Sequence, residues 1–232
     1  MRKYGQYCPV AMATEILGDR WTLLIVRDLL SGVSHFNDLE RGLPGISRGL
    51  LADRLRRLED SGVILKESRG KGRKSLYQLT SAGEDLRGVI GDLMVWGAKW
   101  AFDEPREDQL DPLLLMWWMR QRVRTDRIPS QRIVIQFDFH HNKLETYWLV
   151  LDPEDVSVCL THPGYETDVL VSAQLADYFQ VWLGRLSYDE ATASGTIRVE
   201  SIPKYERAFP SWFAWSLAAP AVRQATENSE AH

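Results

Sequence analysis

"SRGLLADRLRRLEDSGVILKESRGKGRKSLYQLT" occupies residues 47–80, and its periodicity changes in the middle. Up to Gly62 the apolar residues recur at helical spacing; beyond it they alternate. Ser47 is a good N-cap and Gly62 a good stop, so the pattern predicts a helix over 48–62. At about 100° per residue, Leu50, Leu51, Leu55 and Leu58 share one face. Arg48, Gly49, Ala52, Asp53 and Arg56 occupy the opposite face. Arg54 falls on the apolar side, where an ion pair at a buried rim is expected. "VILKES" (63–68) and "SLYQLT" (75–80) read as two antiparallel strands joined by "RGKGRK".

That Gly-rich basic connection could cradle a phosphate, touch nucleic acid, or be a solvated hairpin tip. A phosphate loop needs a helix N-terminus directly behind it, whereas here a strand follows and no GxxxxGK[ST] occurs. Gly70 and Gly72 suit a hairpin tip that comes close to another backbone. Arg69, Lys71, Arg73 and Lys74 give that tip the charge for phosphate contact.

The upstream sequence decides between the remaining readings. Residues 10–32 carry a helical pattern that "LGDRW" can break in two around Gly18. "HFNDLERGL" (35–43) is a short amphipathic stretch, and "PGIS" (44–47) a turn. Short helices joined by a tight turn, the last with a small and basic outer face, match a helix-turn-helix; a basic hairpin after it makes the winged variety. Residues 47–74 hold nine Lys/Arg against four Asp/Glu, a density suited to a polyanion. The chain as a whole is acidic, at −4, but residues 1–102 carry 16 basic and 12 acidic groups and the remaining 130 carry 12 and 20. Two units with different partners are expected.

The stretch from "YCPVAMATEILGDRWTLLI" through "FNDLERGLPGIS" and "LADRLRRLEDSG" to "YQLTSAGEDL" resembles the HxlR family of bacterial winged-helix regulators, over about residues 7–100. The resemblance implies a homodimer on inverted-repeat double-stranded DNA, with helix 47–60 in the major groove and wing 68–75 on the adjacent backbone. It implies that Ser47, Arg48, Gly49, Ala52, Asp53 and Arg56 face DNA, in agreement with the helical phase. Arg48 or Arg56 bidentate to guanine would be the usual base contact, worth ~1–3 kcal/mol of discrimination. The wing cations would set affinity. Cys8 stands where redox-sensing members keep their thiol, although many relatives carry it without such a role.

A helix over 81–102 follows, then the Pro-bearing acidic linker "DEPREDQLDP" (103–112) and the apolar helix "LLLMWWMRQRV" (113–123). That helix could pack on the second domain or build the dimer; packing is preferred, with Leu93, Trp96 and Trp100 serving the dimer. Alternating stretches at 132–139, 145–152, 156–161 and 167–172 read as strands with hairpin-like turns "HHNK", "PED" and "HPGYE". Ser172 is expected to cap a helix over 173–184, followed by a short helix (187–194), a strand (195–201) and a partly helical aromatic segment (203–220).

"LVSAQLADYFQVWLGRLSYDEATASGTIRVES" resembles the sterol carrier protein-like lipid-binding fold, over about 130–215. This implies an apolar tunnel and a modulating apolar small molecule. Trp148, Phe179, Trp182, Trp212, Phe213 and Trp215 are its candidate lining, with plain core packing the competing reading. Cys159, in an alternating stretch, reads as a small core hydrophobe. His140, His141 and His162 fall in turns with no Cys or Glu at ligand spacing, so no metal is expected, and no cofactor. No nucleophile elbow occurs and no catalytic constellation is visible.

The expected architecture is α+β: a winged helix-turn-helix (1–102), a linker with a connecting helix (103–131), a sterol carrier protein-like domain (132–222) and a disordered tail (223–232). The expected function is a cytoplasmic DNA-binding repressor with no membrane partner. The alternative is a carrier or enzyme for a lipid-like molecule that uses the winged helix only to dimerise.

Overall fold

The computed structural model describes residues 4–67, 75–152 and 154–230. The chain divides into two compact units, Met1–Leu93 and Met94–His232. The division falls inside a helix, nine residues before the end expected from sequence for the first domain.

The first unit opens with helices α1 (Pro9–Leu17), α2 (Thr22–Leu30), α3 (Phe36–Gly42) and α4 (Arg48–Asp60). Gly18 ends α1, so "LGDRW" does break the long helical pattern. The Ser47 side chain accepts from Leu50 N, giving α4 its cap. Strands β1 (Ile64–Glu67) and β2 (Leu76–Leu79) pair antiparallel from Ile64–Leu79 to Glu67–Leu76. Tyr77 N donates to Ser34 O at 2.8 Å, and His35 bridges Leu76, so the segment before α3 adds a third edge to the ladder. Leu51, Leu55 and Leu58 of α4 are buried with Ile25, Val26, Leu39 and Ile64. The expected single helix over 81–102 is two: α5 (Ser81–Glu84), capped by Thr80, and α6 (Leu86–Trp100). Gly83 is required there, since a Cβ at that position would run into Val63 O and the Leu79 side chain.

The second unit is an α+β layer structure. Helix α7 (Pro112–Gln121) is capped by Asp111, which accepts from Leu113 N and Leu114 N. Strands β3 (Ile133–His140), β4 (Leu144–Leu151), β5 (Val156–Cys159), β6 (Val169–Gln174) and β7 (Ile197–Ser201) form one sheet in the order β5-β4-β3-β6-β7. Only β3 and β6 are parallel. "HHNK" joins the antiparallel pair β3 and β4, as expected; Pro153 of "PED" lies outside the described residues, between strands β4 and β5 that pair antiparallel. "HPGYE" is not a hairpin connection: residues 160–168 carry the chain from the edge strand β5 across to the far side of β3.

Helices α8 (Leu175–Leu183), α9 (Tyr188–Ala193), α10 (Pro203–Ala208) and α11 (Ala219–Glu230) complete the unit. Ser172 is not a helix cap. Alternation continues through β6, where Val169, Val171 and Ala173 are buried, and α8 begins only at Leu175. The tail expected to be disordered from Arg223 is helical to Glu230, anchored by buried Ala219 and Val222. Ile133, Ile135, Phe137 and Phe139 of β3 point to the core with Leu149, Leu151, Val169, Val171 and Ile197. The apolar helix α7 belongs to the same core through Leu115, Met116 and Met119. No helix among the described residues is long and apolar enough to cross a membrane.

Candidate functional site

The exposed face of α4 is the site that its sequence phase points to. With the leucines turned inward, Ser47, Arg48, Gly49, Ala52 and Arg56 are exposed and Asp53 is half-buried. A Cβ on Gly49 would meet nothing within 4 Å, so the start of the helix offers a low, open surface.

The two candidate base-reading arginines are not loose. Arg48 forms an ion pair with Glu40 and donates to Asn37 Oδ1 at 3.3 Å, and its guanidinium lies 4.9 Å from the centre of the Phe36 ring. Asn37 and Glu40 stand one turn apart on α3, on the side that meets α4. Arg56 is held by Asp53 at 2.6 Å. Asp53 also holds Arg54 and Arg57, each at 2.9 Å. Asp19, in the loop before α2, pairs with Arg57 at 2.9 Å and Arg54 at 3.5 Å. Asp53 is thus the hub of a network that pins the back of α4 to the Asp19–Arg20 loop. Arg54 is the rim ion pair its phase suggested.

Sequence reasoning did not single out Asp19, Asn37 or Glu40. The signal for the last two was available, since residues three apart on a helix share a face. Asp19 gave none, because its partners lie more than 30 residues away. The wing residues Arg69, Lys71, Arg73 and Lys74 lie outside the described residues. Cys8 is half-buried at the N-cap position of α1, with its carbonyl accepting from Met12 N.

Residues 16–105 match the family model described as "HxlR-like helix-turn-helix". The HTH-type transcriptional regulator YvaP of Bacillus subtilis is 34% identical over 98 residues, 41% of this chain and 91% of YvaP. The chain belongs to the HxlR-like helix-turn-helix family. A second relative, the HTH-type transcriptional regulator Rv3095 of Mycobacterium tuberculosis, is 43% identical over 89 residues, 38% of this chain and 56% of that protein. The solved structure of the reduced transcriptional regulator YodB from B. subtilis is 30% identical and covers 41% of this chain and 96% of its own, with a TM-score of 0.37. The chain is accordingly a DNA-binding transcriptional regulator, and its HxlR-like part stops at residue 105, short of the second unit's sheet.

In that second unit, beyond the HxlR-like region, the six aromatic candidates are not gathered around one space. Trp182, Trp212 and Phe213 are each 1% exposed. Their rings pack in a mutual cluster: Trp182 is edge-on to Phe213 at 6.4 Å and 5.8 Å from Trp215, and Phe209 lies between Trp212 and Phe213. Trp148 lies on the opposite face of the sheet, because β4 pairs it with Gln136 rather than with the inward Phe137. There its indole donates to Gln136 Oε1 at 3.3 Å and stands edge-on to His162. Gln136, Asp138, Thr146 and Thr167 complete a hydrogen-bonded polar patch around it. Cys159 pairs with Trp148 across the strands, so it is half-buried on this outer face and not a core residue. Of the six, Phe179 lines a cavity of about 240 Å³, beside Trp118 and Leu183. Burial pushes the Tyr178 hydroxyl well above its usual range, and its oxygen has no hydrogen-bond partner. Tyr188 is pushed up to about 12, chiefly by burial and secondarily by Asp189 and Glu206. No three His, Cys, Asp or Glu among the described residues are placed to hold a metal ion.

Proposed function

We propose that this regulator is a homodimeric repressor that reads an inverted-repeat operator with α4 in the major groove. Wing 68–75 would lie on the flanking backbone, and the second unit would answer to an apolar small molecule. The observation that carries the reading is the outward face of α4. A helix that buries Leu51, Leu55 and Leu58 leaves Arg48, Gly49, Ala52 and Arg56 together in solvent. Small residues let the helix enter a groove, and guanidiniums at either end of the patch suit paired acceptors on guanine.

The dimer reading draws on apolar side chains left in water. Val89, Leu93, Trp96 and Trp100 form one stripe on α6, each 45–66% exposed. Val10 and Met12 on α1, and Tyr7 just before it, are similarly uncovered. Such stripes are expected to be covered by a partner, here a second copy.

For the second unit, the stretch that resembled the sterol carrier protein-like fold runs as α8, Gly184, α9, Gly195 and β7. Coupling of an effector to DNA affinity would be worth about 1–3 kcal/mol.

A gel-shift titration against DNA upstream of its own gene tests the reading. Wild type is expected to shift a palindromic segment as a dimer, and the Arg48→Ala, Arg56→Ala double variant to lose that shift at physiological salt. Undiminished binding by the double variant would overturn the assignment of α4.

A further inference from the structure

The cavity beside Phe179 is built around a carboxylate. It lies wholly in the second unit, between the segment that follows α6 and the outer side of α7 and α8. Its apolar wall is Leu110, Trp118, Phe179 and Leu183, with Trp118 edge-on to Phe179 at 6.2 Å.

Its polar end is set by the way α8 stops. Gly184, at φ +86°, turns the chain back so that Arg185 N donates to Gln180 O at 2.9 Å. This turn places the Arg185 and Gln180 side chains together at the cavity mouth. Only glycine fits the turn, because a Cβ would strike Ala219.

The Arg185 side chain is 21% exposed, and it donates to Glu104 Oε1 at 2.8 Å and to Phe102 O at 2.5 Å. Gln180 Nε2 reaches the other oxygen of Glu104 at 3.4 Å. Glu104 is otherwise in solvent, with its side chain 75% exposed. A partly buried arginine and an amide therefore grip the two oxygens of a carboxylate that nothing else anchors. The apolar room next to that grip is filled by no side chain.

We propose that this cavity binds a small carboxylic acid with an apolar body. The ligand carboxylate takes the place of Glu104 on Arg185 and Gln180, and the body lies against Trp118 and Phe179. Its volume of about 240 Å³ is below the ~300–1,000 Å³ typical of larger ligands, which limits the body to one ring or a short chain. An arginine fork suits a carboxylate better than any neutral group. Glu104 acts as a built-in competitor, so removing it strengthens binding. The inference gives the effector unit of the proposed regulator a site and a ligand chemistry, and it rests on that reading only for its consequence on DNA.

The test is 19F NMR on the full chain with 4-fluorobenzoate, 6-fluorohexanoate and the neutral 4-fluorobenzamide. The two acids are expected to bind and the amide not to; their order tells ring from chain. Glu104→Ala should tighten the acids about fivefold or more. Arg185→Gln should weaken them about tenfold or more, the loss of a charge-assisted pair. Gln180→Ala, which keeps the Phe102 contact intact, should weaken them less, and it guards against an Arg185 variant that merely loosens the segment. Equal binding of the amide, no gain in Glu104→Ala, or no loss in both Arg185→Gln and Gln180→Ala would each overturn the proposal. A gel shift of Glu104→Ala without ligand separates the two readings. If DNA is bound but acids are not, only the cavity assignment falls; if acids are bound but DNA is not, only the DNA reading falls.

Discussion

The outward face of α4 and the aromatic cluster of the second unit treat their distinctive side chains in opposite ways. On α4 the arginines are in water, each held by a neighbouring carboxylate that a stronger acceptor can displace. In the second unit Trp182, Trp212 and Phe213 are sealed in ring-to-ring contact and offer nothing to an outside molecule. A residue type that suggests a site therefore says little until its exposure is known. Arginines on an open face are available for exchange, whereas tryptophans packed at interior density are holding a sheet to its helices.

The sharpest way to break this contrast is to truncate a core ring. Phe137→Ala should cost about 3–5 kcal/mol, read as an early unfolding transition by calorimetry, while operator binding by the first unit is retained. A small loss, or a gain in ligand binding at that spot, would mean that the cluster is a site after all. Next in size is the loss of a single proposed reader. Arg48→Ala or Arg56→Ala should each cost ~1–3 kcal/mol on the best operator and much less on random DNA. Equal losses on both would make them backbone contacts.

A smaller effect concerns Asp28, which is buried in the first unit with one carboxylate oxygen unpartnered. Burial raises its pKa above the ordinary 3.8, opposed by Arg27 at 2.7 Å. Between 3.8 and the raised value the folded unit holds a proton that the unfolded chain has shed, so the cost to stability builds up as pH rises across that range and is complete above the raised value. Asp28→Asn should therefore raise the first unit's melting temperature most at alkaline pH. That advantage should shrink as pH falls through the raised value and vanish below about 3.8. An advantage independent of pH would contradict the charge argument. The smallest change is Glu40→Gln. Releasing Arg48 from a pair in which it is 64% exposed is worth about 0.2–1 kcal/mol, seen as a modest gain in operator affinity at low salt.

How much of this was legible beforehand follows from the physics of each signal. The face of α4 was readable because four leucines at helical spacing leave one phase for the rest. The path of residues 160–168 was not, because "HPGYE" has the same turn chemistry whether the chain returns beside β5 or crosses to β3. Ser172 looked like a cap because serine caps well, but the alternation of Val169, Val171 and Ala173 runs past it and prevailed. The terminal helix was missed because its buried anchors, Ala219 and Val222, are small and few. Trp148 was grouped with the wrong face because both parities of β4 carry apolar residues. Only the register, Gln136 opposite Trp148, assigns them. The cavity at Phe179 was half visible: that residue was singled out, but Arg185 and Glu104 are more than 80 residues apart and no local pattern joins them.

The carboxylates that hold Arg48 and Arg56 also change what happens to ions when the protein meets DNA. A free lysine that neutralises a phosphate expels a condensed cation from the duplex and leaves its own surface as it was. As the proposed readers, Arg48 and Arg56 would first abandon Glu40 and Asp53, and those acids, left bare beside a polyanion, would recruit small cations. Part of what the duplex releases is taken up again by the protein. The ion stoichiometry of binding should fall short of the number of phosphates contacted.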